Sequence, residues 1–299
     1  MKNIINTTVV IMGTLFLSGC VTGVDYQFDY PGDKIVLLGQ LSPQNGAIVY
    51  LQESALPDEV VNAADKLISS ATVELMVSGE VVATLNNEGE GKYASVDYSI
   101  DPELTYSVKA YHPDYDTVFA GPVSVPVMPA ITRNELTFER EEFRDGEFGG
   151  NATLDFAFQD EVGPSYYYLE AVAEVPRPFQ FQVDFFSEYD FDLCDIQNYH
   201  PPFGIFWTDL CFEGEEFSAQ PTFEVTPFIV NSSIDDRMDY THYVIRLRSL
   251  GYEAFRYLND KKNPDDGLTV VEVPASYTNV ANGFGVLMAY QEVSWRRAK

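Results

Sequence analysis

The side chains that could do chemistry in this sequence are three histidines, three cysteines and an unusually large number of carboxylates. Nucleophilic catalysis requires a base beside the nucleophile, and the candidate bases are His112, His200 and His242. None of them stands beside a recognisable nucleophile turn. The sequence also lacks a Gly-x-Ser-x-Gly elbow, a phosphate-binding loop, a Gly-x-Gly-x-x-Gly fingerprint and a His-Glu-x-x-His zinc helix. We therefore predict that the protein is not an enzyme and has no catalytic residues.

The segment Tyr111–Asp116 is the most suggestive cluster, because it surrounds a histidine with aromatic and acidic side chains. We interpret it as a turn at the end of a strand, in which Asp114 caps backbone amides. Three acidic segments could bind calcium, but none follows the EF-hand pattern: Asp97–Asp101, Asp235–Asp236 and Asn263–Asp266. We predict no metal site and no cofactor. A glycosidase-like pair of carboxylates stays open, since so many acids make chance clusters expected.

The most specific sequence signal for a chemical modification lies in the N-terminal segment that ends at Cys20. Lys2 gives a short positive start, Val9–Leu17 is an apolar stretch, and Leu17–Cys20 reads Leu-Ser-Gly-Cys. These features define a secretory signal, and the apolar run is shorter than the roughly 20 residues that span a bilayer. The tetrapeptide resembles the bacterial lipobox, whose cysteine is diacylated before cleavage. We predict a signal peptide over residues 1–19 and a lipid on Cys20, which becomes the first residue of the mature chain.

The lipid on Cys20 would be the membrane anchor, because two or three acyl chains at about 0.8 kcal/mol per buried CH2 hold a protein effectively permanently. Val21 stands where many lipoproteins retained at the inner membrane carry Asp. The outer membrane is therefore expected. Of the two faces we favour the cell surface over the periplasmic face, with Asp25 and Asp29 as the only acids of Val21–Tyr30 that would support export.

Cys194 and Cys211 form the remaining cysteine pair. In an exported protein such a pair indicates a disulfide. It would close a loop of about 18 residues and contribute on the order of 3 kcal/mol in the chain-entropy model. His200 lies between them, but this spacing with one histidine matches no standard zinc site.

The charge balance limits the partners. The chain has 46 Asp plus Glu against 18 Lys plus Arg, a net charge of −28. Such a charge argues against binding nucleic acid or anionic lipid surfaces. With 45% hydrophobic and 14% aromatic residues the chain can bury folded cores, so disorder is not expected beyond a short tether over residues 20–33.

Residues 34–128 have the pattern of an antiparallel β-sandwich of immunoglobulin or transthyretin type. Ala71–Ser78 and Thr105–Tyr111 alternate between apolar and polar side chains, as half-buried strands do. Ser78-Gly79 predicts a tight hairpin turn, and Asn86–Gly91 predicts another. Leu56–Ile68 is expected to be a loop with a short helical turn.

Residues 129–299 are predicted to form a second β-sandwich with one helix. Strands are expected at Tyr166–Glu174, Thr222–Val230, His242–Leu250 and Gly283–Ser294, and helical spacing of apolar residues predicts a helix over Gly251–Lys262. The segment Val175–Phe217 forms a long insertion, stapled by the disulfide and dense with aromatic residues. Long segments of this kind tend to be functional.

The aromatic insertion allows two interpretations. Its rings could present an apolar recognition surface, for which Phe203, Phe206 and Trp207 are the candidate residues. Alternatively, the rings could form a satellite core that covers the edge of the sandwich. Under the first interpretation, replacing Phe206 and Trp207 with alanine reduces partner association without unfolding the protein.

The order and spacing of several segments resemble the bacterial lipoproteins grouped as the domain of unknown function 4249 family. The segments that carry the resemblance follow the lipobox along nearly the whole chain: Lys34–Leu41, Ser69–Leu75, Gly91–Tyr93, Leu104–Val108, Val244–Leu250, Tyr252, Tyr257, Val273-Pro274, Asn279-Val280, Gly283–Val286 and Ala289-Tyr290. The resemblance implies an outer-membrane lipoprotein, frequently encoded beside a TonB-dependent receptor. It implies no catalytic or ligand-binding residue, because none is established for the family.

We therefore expect a non-enzymatic accessory or binding lipoprotein, anchored in the outer membrane and associated with a TonB-dependent receptor for nutrient uptake. Two alternatives stay open. One is a surface-exposed hydrolase of polysaccharide or peptide, and the other is a structural or adhesive lipoprotein of the envelope. The sequence identifies no small ligand and no transported cargo.

Overall fold

The computed structural model describes residues 32–55, 62–95, 97–144, 147–174, 181–182, 204–225, 242–260 and 277–298. The predicted signal peptide and nearly all of the predicted tether lie outside these ranges. Within them the chain is mainly β, as predicted, with one α-helix and one short 3-10 turn.

Seven strands form in the described part of the first half, and the side chains of residues 35–42, 46–53 and 105–111 alternate between more and less buried. The prediction of strands around residues 71–78 and 105–111 is confirmed. In the first of these Val73 and Leu75 are fully buried, whereas Thr72 is exposed. The strands are β1 Ile35–Ser42, β2 Gly46–Glu53, β3 Thr72–Val77, β4 Glu80–Gly89, β5 Lys92–Ala94, β6 Thr105–Tyr111 and β7 Val118–Ser124.

The hairpin turns of the first half contain or adjoin glycine residues. Val77 pairs with Glu80, and the two residues between them, Ser78 and Gly79, have φ of 51° and 84°. Positive φ at both central positions suits the right-handed twist of a hairpin, which confirms the predicted turn. The turn predicted at Asn86–Gly91 begins later, because β4 continues to Gly89 by pairing with β5. The expected helical turn within 56–68 is a 3-10 turn at Ala63–Lys66.

The second half contains ten strands and the helix within the described residues. The helix α1, Tyr252–Asp260, confirms the predicted helix in position, and the final strand runs longer than predicted. The strands are β8 Ala130–Arg144, β9 Glu147–Gln159, β10 Tyr166–Glu174, β11 Phe181–Gln182, β12 Gly204–Thr208, β13 Glu216–Ala219, β14 Thr222–Val225, β15 His242–Leu250, β16 Val280–Ala281 and β17 Phe284–Ala298.

Two sheets organise these strands. A large sheet of 13 strands has the order β11-β10-β15-β17-β1-β2-β5-β4-β3-β6-β7-β16, with β12 paired to β10. A four-stranded sheet has the order β13-β9-β14, with β8 paired to β9.

Strand β17 connects the two predicted regions. Residues Phe284–Ala289 pair in parallel with β1, and Tyr290–Ala298 pair antiparallel with β15. The backbones of β1 and β17 approach closely at Gly285, whose φ is 104° and where a Cβ would collide with the Leu37 carbonyl. The large sheet therefore continues from the first predicted sandwich into the second. The boundary between residues 128 and 129 stays a prediction.

In the described part of the chain, three apolar clusters hold the strands together. The first fills the first half and includes Leu287 and Ala289 of β17. The second lies around Phe156 and Phe158 of β9 and Leu247 of β15. The third lies under α1 and includes Val286 and Met288. The last two clusters cover opposite faces of β10, because its successive residues Tyr167 and Tyr168 belong to different clusters.

Candidate functional site

The residues predicted to bear a lipid or a disulfide are only partly described. Cys20, Cys194 and Phe203 lie outside the described residues, so the lipid attachment and the role of Phe203 stay predictions. Cys211 is disulfide-bonded. Its pairing with Cys194 also stays a prediction.

Phe206 and Trp207 are buried, so the expectation that their rings form an exposed recognition surface is wrong. They lie on β12, which pairs with β10 and places Phe206 beside Tyr168 and Trp207 beside Tyr167. Neighbouring residues of a strand face opposite sides, and here both sides are covered. Phe206 is 6% exposed and Trp207 is 3% exposed. For these two residues the alternative interpretation, a contribution to a core, describes the structure.

The ring of Trp207 is the centre of an aromatic cluster. Its centroid lies 5.6 Å from that of Tyr167, 5.6 Å from that of Phe217 and 6.4 Å from that of Phe156. The indole Nε1 has no hydrogen-bond partner although it is buried. Burying an unpaired donor costs free energy, so the position is held for the ring's apolar volume rather than for its N–H.

Two buried carboxylates lie at the edge of this aromatic cluster and join two loops. We call residues 160–165 and 209–215 together the loop pair. Asp160 accepts hydrogen bonds from the Tyr167 hydroxyl and from the Gly214 backbone N–H, the latter at 2.9 Å. Asp209 accepts from the Ser165 backbone N–H at 2.7 Å. Each carboxylate thus belongs to one loop and binds backbone of the other, which braces the pair.

Backbone hydrogen bonds also join the two loops. The Asp160 N–H donates to the Glu215 carbonyl at 3.1 Å, and the Asp209 N–H donates to the Ser165 carbonyl at 3.2 Å. Within the second loop, Phe212 N–H donates to the Asp209 carbonyl at 2.8 Å. The Phe212 ring packs 4.6 Å from the Phe217 ring, centroid to centroid, and so ties the loop to the aromatic cluster. The backbone of the loop pair is therefore fixed from several sides.

In the loop pair the carboxyl groups of Asp160 and Asp209 are bound by backbone N–H groups of the opposite loop. Neither residues 160–165 nor residues 209–215 contain Lys or Arg. Burial raises the pKa of the Asp209 carboxyl above its ordinary value of 3.8, although the Ser165 N–H acts in the opposite direction. Burial, followed by the hydrogen bond to Asp160, raises the pKa of the Tyr167 hydroxyl. Tyr167 consequently stays a hydrogen-bond donor to Asp160.

Apolar side chains project from the braced backbone. Val162 is 89% exposed and Leu210 is 76% exposed, the highest values among the exposed large apolar residues of the described part of the chain. Pro164 and Cys211 are exposed beside them in sequence. Glu161, Glu213 and Glu215 are exposed in the same two loops. The loop pair thus carries two sets of exposed side chains, and we call the apolar set (Val162, Pro164, Leu210 and Cys211) the apolar tip and the three glutamates the acidic rim.

A second charged cluster centres on Arg248. Its Nε lies 2.7 Å from Glu292 Oε2, and its Nη2 lies 3.1 Å from Glu170 Oε1. Its Cζ lies 5.7 Å from the centre of the Tyr168 ring and 5.3 Å from that of Tyr290. Burial alone would lower the pKa of Arg248, but the two carboxylates outweigh it and raise that pKa. Because its guanidinium is engaged with these groups, Arg248 clamps β10, β15 and β17 rather than offering a free cation.

The histidine predicted to lie in a turn does so, but with a different capping group. The turn after β6 is confirmed, and the Asp114 N–H donates to His112 Nδ1 at 3.2 Å, so His112 and not Asp114 is the cap. Ser70 Oγ lies 2.9 Å from His112 Nε2. With Nδ1 accepting, the proton of the neutral ring is on Nε2 and points at the serine. A base that activates serine needs the opposite arrangement.

The remaining predicted chemistry falls on few described residues. His200 and the acidic segments at 235–236 and 263–266 lie outside them. Across the described ranges, no three His, Cys, Asp or Glu side chains come together in a way that could hold a metal ion. The helix present in those ranges is too short and too polar to cross a membrane.

Sequence reasoning did not identify the loop pair. Its local signal was available, because Val162 stands between Glu161 and Gly163-Pro164, and Leu210 stands between Asp209 and Cys211. An isolated aliphatic residue between acids and turn residues indicates an exposed tip. That the two tips lie on neighbouring, mutually bonded loops depends on the pairing of β10 with β12, which no local pattern reveals.

Comparison with known proteins identifies one family. The family described as a domain of unknown function (DUF4249) matches residues 21–296. No curated protein matches the chain.

Proposed function

The chain belongs to the DUF4249 family, and on that premise we propose that it is a lipid-anchored accessory lipoprotein of the outer membrane that binds a TonB-dependent receptor for nutrient uptake. The observation that carries the proposal is the loop pair, whose fixed backbone holds Val162 and Leu210 out in solvent. Exposed apolar side chains on a rigid support favour protein binding, because little conformational entropy is lost on association. The hydrogen bonds of His112 do not suit serine-based catalysis at Ser70.

The proposal includes the lipid anchor on Cys20 and a disulfide between Cys194 and Cys211. Cys20 carries the lipid, the protein lies on the cell surface, and residues 34–128 and 129–299 form two sandwich domains. The chain has three cysteines. If Cys20 is lipidated, Cys194 is the partner that remains for the bonded Cys211. Mass spectrometry of peptides from the unreduced protein tests both statements, since it should find an acylated Cys20 peptide and a Cys194–Cys211 crosslinked peptide. A Cys20–Cys211 crosslink would contradict the anchor.

The experiment that tests the function is affinity purification of the tagged lipoprotein from crosslinked, mildly solubilised membranes. The Cys20→Ser variant, which should no longer be anchored, is the matched control. We expect a TonB-dependent receptor to accompany the wild-type protein in a constant ratio and to be lost with the variant. Recovery of the lipoprotein alone, despite crosslinking, would contradict the proposal and favour a surface hydrolase or an adhesive lipoprotein instead.

A further inference from the structure

The loop pair has the properties of a preformed contact surface. Its apolar tip consists of Val162, Pro164, Leu210 and the exposed Cys211, and its backbone is held by Asp160 and Asp209. Val162 lies over Gly214, since a Cβ placed on that glycine would come within 3.1 Å of Val162 Cγ2. The tips of both loops are therefore positioned by the same set of bonds. A surface of this kind binds without first having to order itself.

The acidic charge of the two loops restricts the kind of partner that the apolar tip can bind. Glu161, Glu213 and Glu215 are exposed, the two loops contain no Lys or Arg, and the whole chain carries a net charge of −28. Anionic lipid headgroups would be repelled by this rim. A protein surface with Lys or Arg at its edge would instead be attracted and correctly oriented, because complementary charge steers association and excludes wrong partners.

We infer that the loop pair docks into an apolar socket rimmed by lysine and arginine on an outer-membrane protein, with Val162 and Leu210 as the side chains that fill the socket. The inference rests on the proposed function for where that partner is found. It replaces the buried Phe206 and Trp207 as the expected partner surface. Val162 and Leu210 supply the apolar contact, and the three glutamates supply the charge complementarity.

Site-specific photocrosslinking in the lipidated, full-length protein tests the inference. A benzoylphenylalanine crosslinker replaces Val162 or Leu210 in turn, and Val127, which is 66% exposed, serves as the matched control position. We expect one discrete protein adduct from the first two positions and none from Val127. The partner's crosslinked peptide should carry apolar residues flanked by Lys or Arg. An adduct with lipid alone, or equal adducts from Val127, would overturn the inference.

Substitution separates this inference from the proposed function. The double variant Val162→Ser, Leu210→Ser should lower receptor recovery by about tenfold or more, as loss of a buried contact centre does. The control pair Val81→Ser, Val127→Ser also alters exposed valines and should leave recovery unchanged. The variant Glu161→Gln, Glu213→Gln should make recovery less sensitive to salt. Undiminished recovery with the first double variant would refute the inference while the proposed function stands. If the wild-type protein recovers no receptor, the proposed function itself fails.

Discussion

Replacing Trp207 with alanine should destabilise the protein severely. The side chain is 3% exposed and its ring packs against Tyr167, Phe217 and Phe156. Truncating a buried Trp costs about 3–5 kcal/mol, because the transfer free energy is lost and a cavity remains. At roughly 2–4 °C per kcal/mol for a chain of this size class, the melting temperature should fall by about 6–20 °C. This is the reverse of the behaviour predicted for an exposed recognition residue.

The Trp207→Phe variant separates the ring from its N–H. It keeps an aromatic ring and removes the buried Nε1 that lacks a partner, so the loss should stay below about 2 kcal/mol. Leu210→Ala, which alters a side chain that is 76% exposed, is the surface control and should lie within about 0.5 kcal/mol of wild type. Urea unfolding followed by circular dichroism measures all three. If Trp207→Ala unfolds at the same urea concentration as Leu210→Ala, the aromatic-core reasoning is refuted.

Three further predictions concern charged groups. Burial raises the pKa of Asp209 above 3.8, so the wild-type protein loses free energy of unfolding as the pH rises through that pKa and the buried carboxyl ionises. Asp209→Asn, whose side-chain oxygen can still accept from the Ser165 N–H, should match the stability of wild type at about pH 3 and exceed it at pH 7. A variant that is less stable than wild type at pH 7 would contradict this. Hydrogen bonds to Lys66 and Tyr115 lower the pKa of Glu53 from 4.5, so Glu53→Gln should be less stable than wild type at pH 7. Urea titrations should show this difference disappearing as the pH falls well below 4.5. Arg248→Met should cost about 2–4 kcal/mol, because Glu292 loses the cation that binds it in the sheet while Glu170 keeps its ion pair with Arg246. Unchanged urea unfolding would show that the clamp contributes nothing.

The strands were predictable where period-two patterning and turn residues agree. Thr105–Tyr111 forms the predicted strand because Tyr106, Val108 and Ala110 all face the core. Ser78-Gly79 gives the predicted turn because both residues can adopt positive φ. At Asn86 the prediction placed the turn too early, since pairing with β5 outweighs the turn preference of asparagine.

The long-range arrangement was not predictable from local patterns. The parallel pairing of β1 with β17 joins the two ends of the described chain, and nothing in either segment's own pattern specifies the other. The same reason explains the error at Phe206 and Trp207. An aromatic-rich segment has the same composition whether its rings face solvent or core, and only the pairing of β12 with β10 decides between them. The loop pair depends on that pairing as well.

The most direct test of the account is the molar ratio of TonB-dependent receptor to lipoprotein, measured by quantitative mass spectrometry after tagged purification from crosslinked membranes. The account predicts a fixed, near-stoichiometric ratio for the wild-type protein, and a ratio about tenfold lower for the Val162→Ser, Leu210→Ser variant. A lipoprotein recovered without any receptor, from membranes in which the receptor is present, would contradict the proposed function.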